Sequence, residues 1–368
     1  MARLKININP EILKWAREEA GYTIDEISQK LDVTAENYSL WEKSGKGLPF
    51  GKFKKLANYY KRQIATFFLP EVPDKLIKPK DFRNFDPLRA RLSKEVLLVM
   101  RRVDKFREFA VQEKGQKYWK DQYEWQSQIK NETDDKLFKL LRDTLDIDLE
   151  KQLAFKSTSD AYRNWRNGIE EKLGILVFQF SMPFEEVQGF CYSDYFPYAI
   201  IVNSNHSYTG RIFTLFHELA HILKHQSGIC TPEFVDKSQE LEFNCNSFAG
   251  RFLIPKNTLV PTDDLDEIKK YSNKLKISRE VYLRRLYEEQ LVEPVKFFSL
   301  LDDIKKSYKT LKTKNKKGFG IPKPVISKAQ RGETFYNMVL EGVNSNRVTY
   351  STASELLGLK MNALLSEV

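Results

Sequence analysis

His217-Glu218-Leu219-Ala220-His221 is the stretch on which the reading of this chain turns. On an α-helix, residues four apart lie one above the other on one face, so His217 and His221 offer two imidazoles to a single metal ion. Glu218, one residue on, reaches the water that such an ion would hold. Zinc lowers the pKa of its water to about 7, and a glutamate so placed takes the proton as the hydroxide attacks a carbonyl. Ile212, Phe216, Leu219, Ala220 and Leu223 recur at helical spacing and give the helix a buried stripe, with the two histidines beside it. The bland alternative is an amphipathic helix with two solvent-facing histidines. Composition weakens it, because the chain has 4 histidines and His217, His221 and His225 crowd into nine residues.

A third ligand is needed, and residues 241–252 offer one. Apolar side chains at 241, 245, 248, 249 and 252 read as a second buried helix. Glu242 and Asn246 stand one turn apart on a common face, which suits a carboxylate ligand with a polar partner behind it. Glu240 is the rival acid and falls off that face. His225 is set aside. Three histidines at four-residue steps spread over two turns, about 12 Å, too far to converge on one ion, and Lys224 stands where a glycine would have to end the helix.

The strings Phe213-Thr214-Leu215-Phe216-His217-Glu218-Leu219-Ala220-His221 and Glu242-Phe243-Asn244-Cys245-Asn246-Ser247-Phe248-Ala249 resemble the ImmA/IrrE metallopeptidases. So do Ile200-Ile201-Val202-Asn203-Ser204 and Leu253-Ile254-Pro255, and the resemblance runs from about Asp81-Phe82-Arg83 to the C-terminus. It implies Zn2+ held by His217, His221 and Glu242, with Glu218 catalytic. It also implies a regulatory endopeptidase that cleaves a cognate repressor or partner protein, as in mobile elements, stress responses or toxin–antitoxin-like pairs. The strand signals just before the metal helix, Ile175 to Phe180, Val187 to Tyr192 and Ala199 to Val202, fit a zincin-like domain with a small sheet. If Val187 to Tyr192 is an edge strand, a substrate peptide can add to it by backbone pairing. His206, Tyr208 and Tyr192 are unranked candidates for donors to the developing oxyanion.

The N-terminal residues tell a second story. Asn9-Pro10 reads as an N-cap followed by proline at the first helical position, and Thr23-Ile24-Asp25-Glu26 as a capping box. A turn through Asp32-Val33-Thr34 leads into a helix from Ala35, and a further helix from Phe50 carries Phe53, Leu56, Ala57 and Tyr60. Short helices joined by tight turns predict a five-helix-type helix-turn-helix bundle. With Trp41-Glu42 and the glycine that follows, it resembles the XRE, lambda-repressor-like domain. That resemblance implies binding of double-stranded DNA with Thr34 to Leu40 in the major groove. Thr34, Asn37 and Ser39 are then the candidate readers, and Lys43, Lys46, Lys52, Lys54 and Lys55 the candidate phosphate contacts. Glu36 can accept from cytosine, whereas Leu40 has no hydrogen bond to offer. A protein-interaction or dimerisation module that kept the fold and lost the readout is the alternative, and a homodimer is compatible with either.

Composition sets the outer limits. The 368 residues suit two or three domains. A formal net charge of +10 and a sequence pI near 9.2 favour an acidic partner such as DNA. Cys191, Cys230 and Cys245 form no close pair, which suggests reduced thiols and buried small side chains in a cytoplasmic protein. No segment reads as a membrane span or a signal core.

The expected fold class is α+β, mostly helical. The expected division is a helix-turn-helix domain at 1–72, a helical connector at 73–170 and a peptidase core at 171–300, then a basic linker at 301–332 and a small helical element at 333–368. Trp119, Trp125 and Trp165 in the connector are expected to be packing residues. The rival function is a DNA-binding transcriptional regulator or antitoxin whose peptidase domain senses without turnover.

Overall fold

Asn9 and Thr23 open the first two helices with the capping chemistry read from their side chains. In the computed structural model Asn9 accepts from the Glu11 amide at 3.0 Å, and Thr23 and Glu26 close a reciprocal capping box. The structure describes residues 4–73, 92–125, 134–223, 228–230, 240–311 and 320–367, with backbone alone at 134, 228–230 and 309–311. Asp81-Phe82-Arg83 and His225 lie outside the described residues, as does the side chain of Cys230. The architecture is α+β and mostly helical. No helix among the described residues is long and apolar enough to cross a membrane.

The described residues fall into two compact units whose boundary lies inside one helix, after Lys105. In the first unit, helices α1 (Pro10–Glu19), α2 (Ile24–Leu31), α3 (Ala35–Ser44) and α4 (Phe50–Tyr60) are followed by a 3-10 turn at Ile64–Phe68. Strand β1 (Lys5–Ile6) pairs with β2 (Leu48–Pro49). Ile27, Leu31, Tyr38, Phe53, Leu56 and Tyr60 fill the core. Arg17 ties α1 to α3 through Glu42 at 2.6 Å, and Tyr38 donates to the same carboxylate at 3.0 Å. The start of α5 (Lys94–Lys114) belongs here too, with Arg101 donating to the Tyr60 carbonyl at 3.0 Å.

The second unit begins within α5. Helices α6 (Gln116–Asp121), α7 (Asp134–Leu145), α8 (Leu149–Ala154) and α9 (Thr158–Leu173) lead to a mixed sheet. Its strands are β3 (Leu176–Phe180), β4 (Gly189–Tyr192), β5 (Ala199–Asn203) and β6 (Gly228–Cys230), in the order β3-β5-β4-β6. β3 and β5 are parallel, and β4 runs antiparallel to both β5 and β6. The edge-strand expectation for Val187 to Tyr192 is therefore corrected. β4 is hydrogen-bonded on both sides, so its backbone has no open edge for a peptide. Helices α10 (Tyr208–Leu223) and α11 (Glu240–Leu253) follow, with α12 (Leu265–Leu275), α13 (Arg279–Glu288) and α14 (Pro294–Leu311) after them. Trp119 and Trp165 are buried and Trp125 is partly so, with Trp119 donating to Ala110 O at 2.9 Å and Trp125 to Leu173 O at 3.1 Å.

The C-terminal residues are part of this unit rather than an appendix. The stretch expected as linker holds the end of α14 and all of α15 (Lys323–Arg331), and α16 (Glu333–Asn344), α17 (Tyr350–Leu357) and α18 (Met361–Leu365) complete the chain. Phe335 of α16 lies 4.7 Å from Phe106 and 5.6 Å from Phe178 between ring centroids, inside the core beside β3. Arg166 of α9 is the polar anchor. It donates to Glu170 at 3.0 Å, to the Ala329 carbonyl of α15 at 2.5 Å and to the Val177 carbonyl of β3. Glu170 also accepts from the Thr334 amide at 3.3 Å. At Gly332, where φ is +82°, a Cβ would stand 2.0 Å from a Glu170 oxygen, so that turn requires glycine.

Removing one partner of a buried ion pair leaves the other charge uncompensated, at a cost of about 3–5 kcal/mol. Glu170→Ala is expected to destabilise the second unit by that amount and to raise amide exchange in α15 to α18, with residues 4–73 unchanged. Unaltered exchange in those helices would show that the Arg166–Glu170 pair does not hold them.

Candidate functional site

Helix α10 owes its position to its own apolar stripe. Leu215, Phe216, Leu219, Ala220 and Ile222 are buried. Phe216 meets Phe252 of α11 at 4.5 Å and Trp165 of α9 at 4.9 Å between ring centroids. That packing carries the polar face of α10 inward as well. His217 is 5 % exposed, and Glu218 and His221 are fully buried. Glu242 of α11 is 5 % exposed and Glu240 is solvent-facing, as the helical spacing predicts.

The structure brings His217, His221 and Glu242 together, with one ligand atom of each within 4.8 Å of the others. His217 Nε2 and His221 Nε2 are 3.1 Å apart, and the Glu242 carboxylate oxygens lie 3.3 Å from the first and 3.2 Å from the second. A tetrahedral ion with ligands at about 2.0–2.1 Å has edges of roughly 3.3 Å. The spacing therefore fits a small divalent cation held by two imidazoles and one carboxylate.

Asn246 completes the orientation of the first imidazole. Its Oδ1 lies 2.9 Å from His217 Nδ1, and an amide oxygen can only accept, so Nδ1 carries the proton and the Nε2 lone pair faces Glu242 and His221. The His217 lone pair and the Glu242 carboxylate repel one another at this separation, and a proton on His221 Nε2 or a bound cation relieves them. The same physics sets the proton affinities. Burial pushes His217 down, but the Glu242 carboxylate, which accepts from the ring once it is protonated, and the charges of Glu218 and Glu242 outweigh it and raise it overall. Burial pushes Glu242 up, yet His217 and His221 bring it well below the usual carboxylate range.

One residue at this site was not singled out from the sequence. A Cβ at Gly189, the first residue of β4, would stand 2.4 Å from Thr214 Cγ2, 2.8 Å from the Ile201 carbonyl and 3.3 Å from Glu218 Oε1. Only glycine lets the strand lie this close over α10 and Glu218. A lone glycine opening a strand was the available signal.

Each oxyanion candidate has a ring contact with residues outside the ligand set. Tyr208 is more than two turns before His217, about 13 Å along α10, and lies against Arg211 and Tyr162. Tyr192 sits beneath Arg107 at 4.6 Å, and His206 stacks on Phe184 at 4.3 Å.

In the first unit, α2 and α3 are joined by three residues, with Asp32 in the left-handed region and Thr34 capping α3 through the Asn37 amide at 3.3 Å. Thr34, Asn37 and Lys43 are exposed and Ser39 is half-buried. Lys52 is not a free phosphate contact. Its ammonium donates to Leu31 O at 2.7 Å and Asp32 O at 3.0 Å and so caps α2. Lys43, Lys46, Lys54 and Lys55 remain exposed.

Comparison with curated proteins and with solved structures gives no match. Two family models do match. Residues 13–67 match the model described as helix-turn-helix, and residues 170–287 match the peptidase model described as IrrE N-terminal-like domain. Every ligand candidate and Glu218 fall inside the second match. The chain thus fuses an N-terminal helix-turn-helix domain of the XRE type to an IrrE/ImmA-like metallopeptidase-family domain.

Proposed function

We propose that this protein is a cytoplasmic, regulatory, zinc-dependent endopeptidase that cleaves one cognate regulator and is coupled to duplex DNA through its N-terminal domain. The observation that carries the reading is the cluster of His217, His221 and Glu242, with the two Nε2 atoms 3.1 Å apart and each 3.2–3.3 Å from a different Glu242 oxygen, and the buried Glu218 beside it on α10. The peptidase-family match over 170–287 supports it, and the helix-turn-helix match over 13–67 supports the DNA partner.

A zinc ion bound there would supply Lewis acidity, which makes water acidic near neutrality and draws charge from a scissile carbonyl. His217, His221 and Glu242 hold the site, and Asn246 keeps the His217 lone pair turned inward. Glu218 accepts a proton from the attacking water and delivers it to the leaving amine. The dry walls strengthen each of these interactions relative to water. On the DNA side, Thr34, Asn37 and Ser39 face the bases and Lys43 a phosphate.

The two parts of the site are separable by mutation. Glu218→Gln is expected to retain metal and lower cleavage of the protein encoded beside this gene by about 10²–10⁴-fold, read as single-site cleavage alongside metal content. Full metal with no cleavage by either wild type or variant would instead favour a sensor without turnover. Asn246→Ala removes the partner that fixes His217, and metal affinity should fall about 10–100-fold in a competition titration against a chelator. Unchanged affinity would sink the role given to Asn246. Gly189→Ala should lower turnover and stability together, because β4 must withdraw from Thr214 and Glu218. A variant with wild-type melting and activity would show that the close approach is dispensable.

A further inference from the structure

Leu40 is 59 % exposed, and its surroundings on α3 are informative. At 100° per residue the exposed side chains Glu36, Asn37, Leu40, Lys43 and Ser44 occupy one arc roughly 120° wide, with Leu40 at its centre. Tyr38 and Glu42 lie on the opposite side, buried against α4 and α1 by Tyr60 and Arg17. On α3, folding therefore leaves one large apolar side chain in water, flanked by groups that donate or accept hydrogen bonds.

That pattern matches the floor of a DNA major groove. Each A·T pair shows one apolar group there, the thymine C5-methyl, among the O4, N6 and N7 hydrogen-bonding positions. A protein partner would be expected to meet a contiguous apolar patch, and the neighbours of Leu40 in the arc are all polar. Asn37, three residues earlier on the same face, has the side chain that pairs with adenine N6 and N7. Cβ atoms at this spacing are about 5–6 Å apart, against a base-pair rise of about 3.4 Å, so the two side chains address the same or neighbouring pairs. Lys43 and Glu36, at other positions of the arc, are the side chains there with the chemistry to read guanine and cytosine. We propose that Leu40 is a specificity-determining residue that reads a thymine methyl group, with Asn37 reading adenine within two base pairs of it. This rests on the DNA partner in the reading above and on nothing at the metal site.

The test uses the full-length protein and a randomised duplex library. Bound duplexes are selected, and each thymine of the enriched site is then replaced by uracil, which removes the methyl and nothing else. Uracil at the thymine that Leu40 contacts is expected to weaken binding about fourfold, the worth of one buried methylene-sized group. Leu40→Ala should lose the same factor on the thymine duplex and nothing further on the uracil duplex. Leu40 is exposed, so the variant keeps its fold, which circular dichroism checks. An enriched site at which uracil is tolerated everywhere would overturn the methyl readout and leave the DNA partner standing. No enriched duplex would overturn both, with metal content and cleavage still open to their own assays.

Discussion

Phe216 on Phe252, with Trp165 edge-on to Phe216, fixes the separation of α10 and α11, and the metal-site geometry follows from it. Neither helix carries a complete set of ligands. Two imidazoles come from α10 and the carboxylate from α11, so the donor spacing of 3.1–3.3 Å depends on how closely the two helices lie. Interiors are packed like organic crystals and do not deform smoothly. A change of one ring in that aromatic contact would therefore move all three donors at once.

The opposite side of α10 is set by a missing side chain. Gly189 lets β4 approach Thr214 and Glu218, and β4 is itself held between β5 and β6. The sheet's other border, β3, is tied to the C-terminal helices through Arg166, which bonds β3, α9 and α15 together. The residues far from the metal donors thus have a definite task. They keep a thin sheet flat against the helix that carries the catalytic candidate.

Local chemistry was legible in the sequence and non-local pairing was not. The four-residue spacing of His217 and His221, and of Glu242 and Asn246, selects faces of helices whatever their surroundings, and the four side chains do converge. Caps at Asn9 and Thr23 are likewise decided within a few residues. The place of β4 in the sheet could not be read, since it depends on pairing with a three-residue strand some forty positions downstream. Arg166 and Ala329 are farther apart still in sequence, so the stretch between α14 and α16 looked like linker. Lys52 looked like one more surface cation. Its role as a cap for α2 needs the three-dimensional approach of α4.

Two places among the described residues make opposite demands on their surroundings. In the second unit, two imidazoles and a carboxylate converge where almost no water reaches them. In the first, a leucine stands in water at the centre of a polar face. Natural sequences are locally consistent with their folds, and exceptions concentrate where something outside the chain supplies the missing term. The exceptions here ask for opposite things. The metal-site cluster has lost its hydration and is relieved by a proton or a cation, so its energetics are electrostatic and steep with distance. Leu40 keeps its hydration until a partner removes it, so its contribution is small, additive with its neighbours and tuned to shape. A site of the first kind suits chemistry on one bond, and a site of the second suits discrimination among many similar surfaces. Their presence in separate units of one chain is the physical argument for a peptidase whose place of action is set by recognition elsewhere.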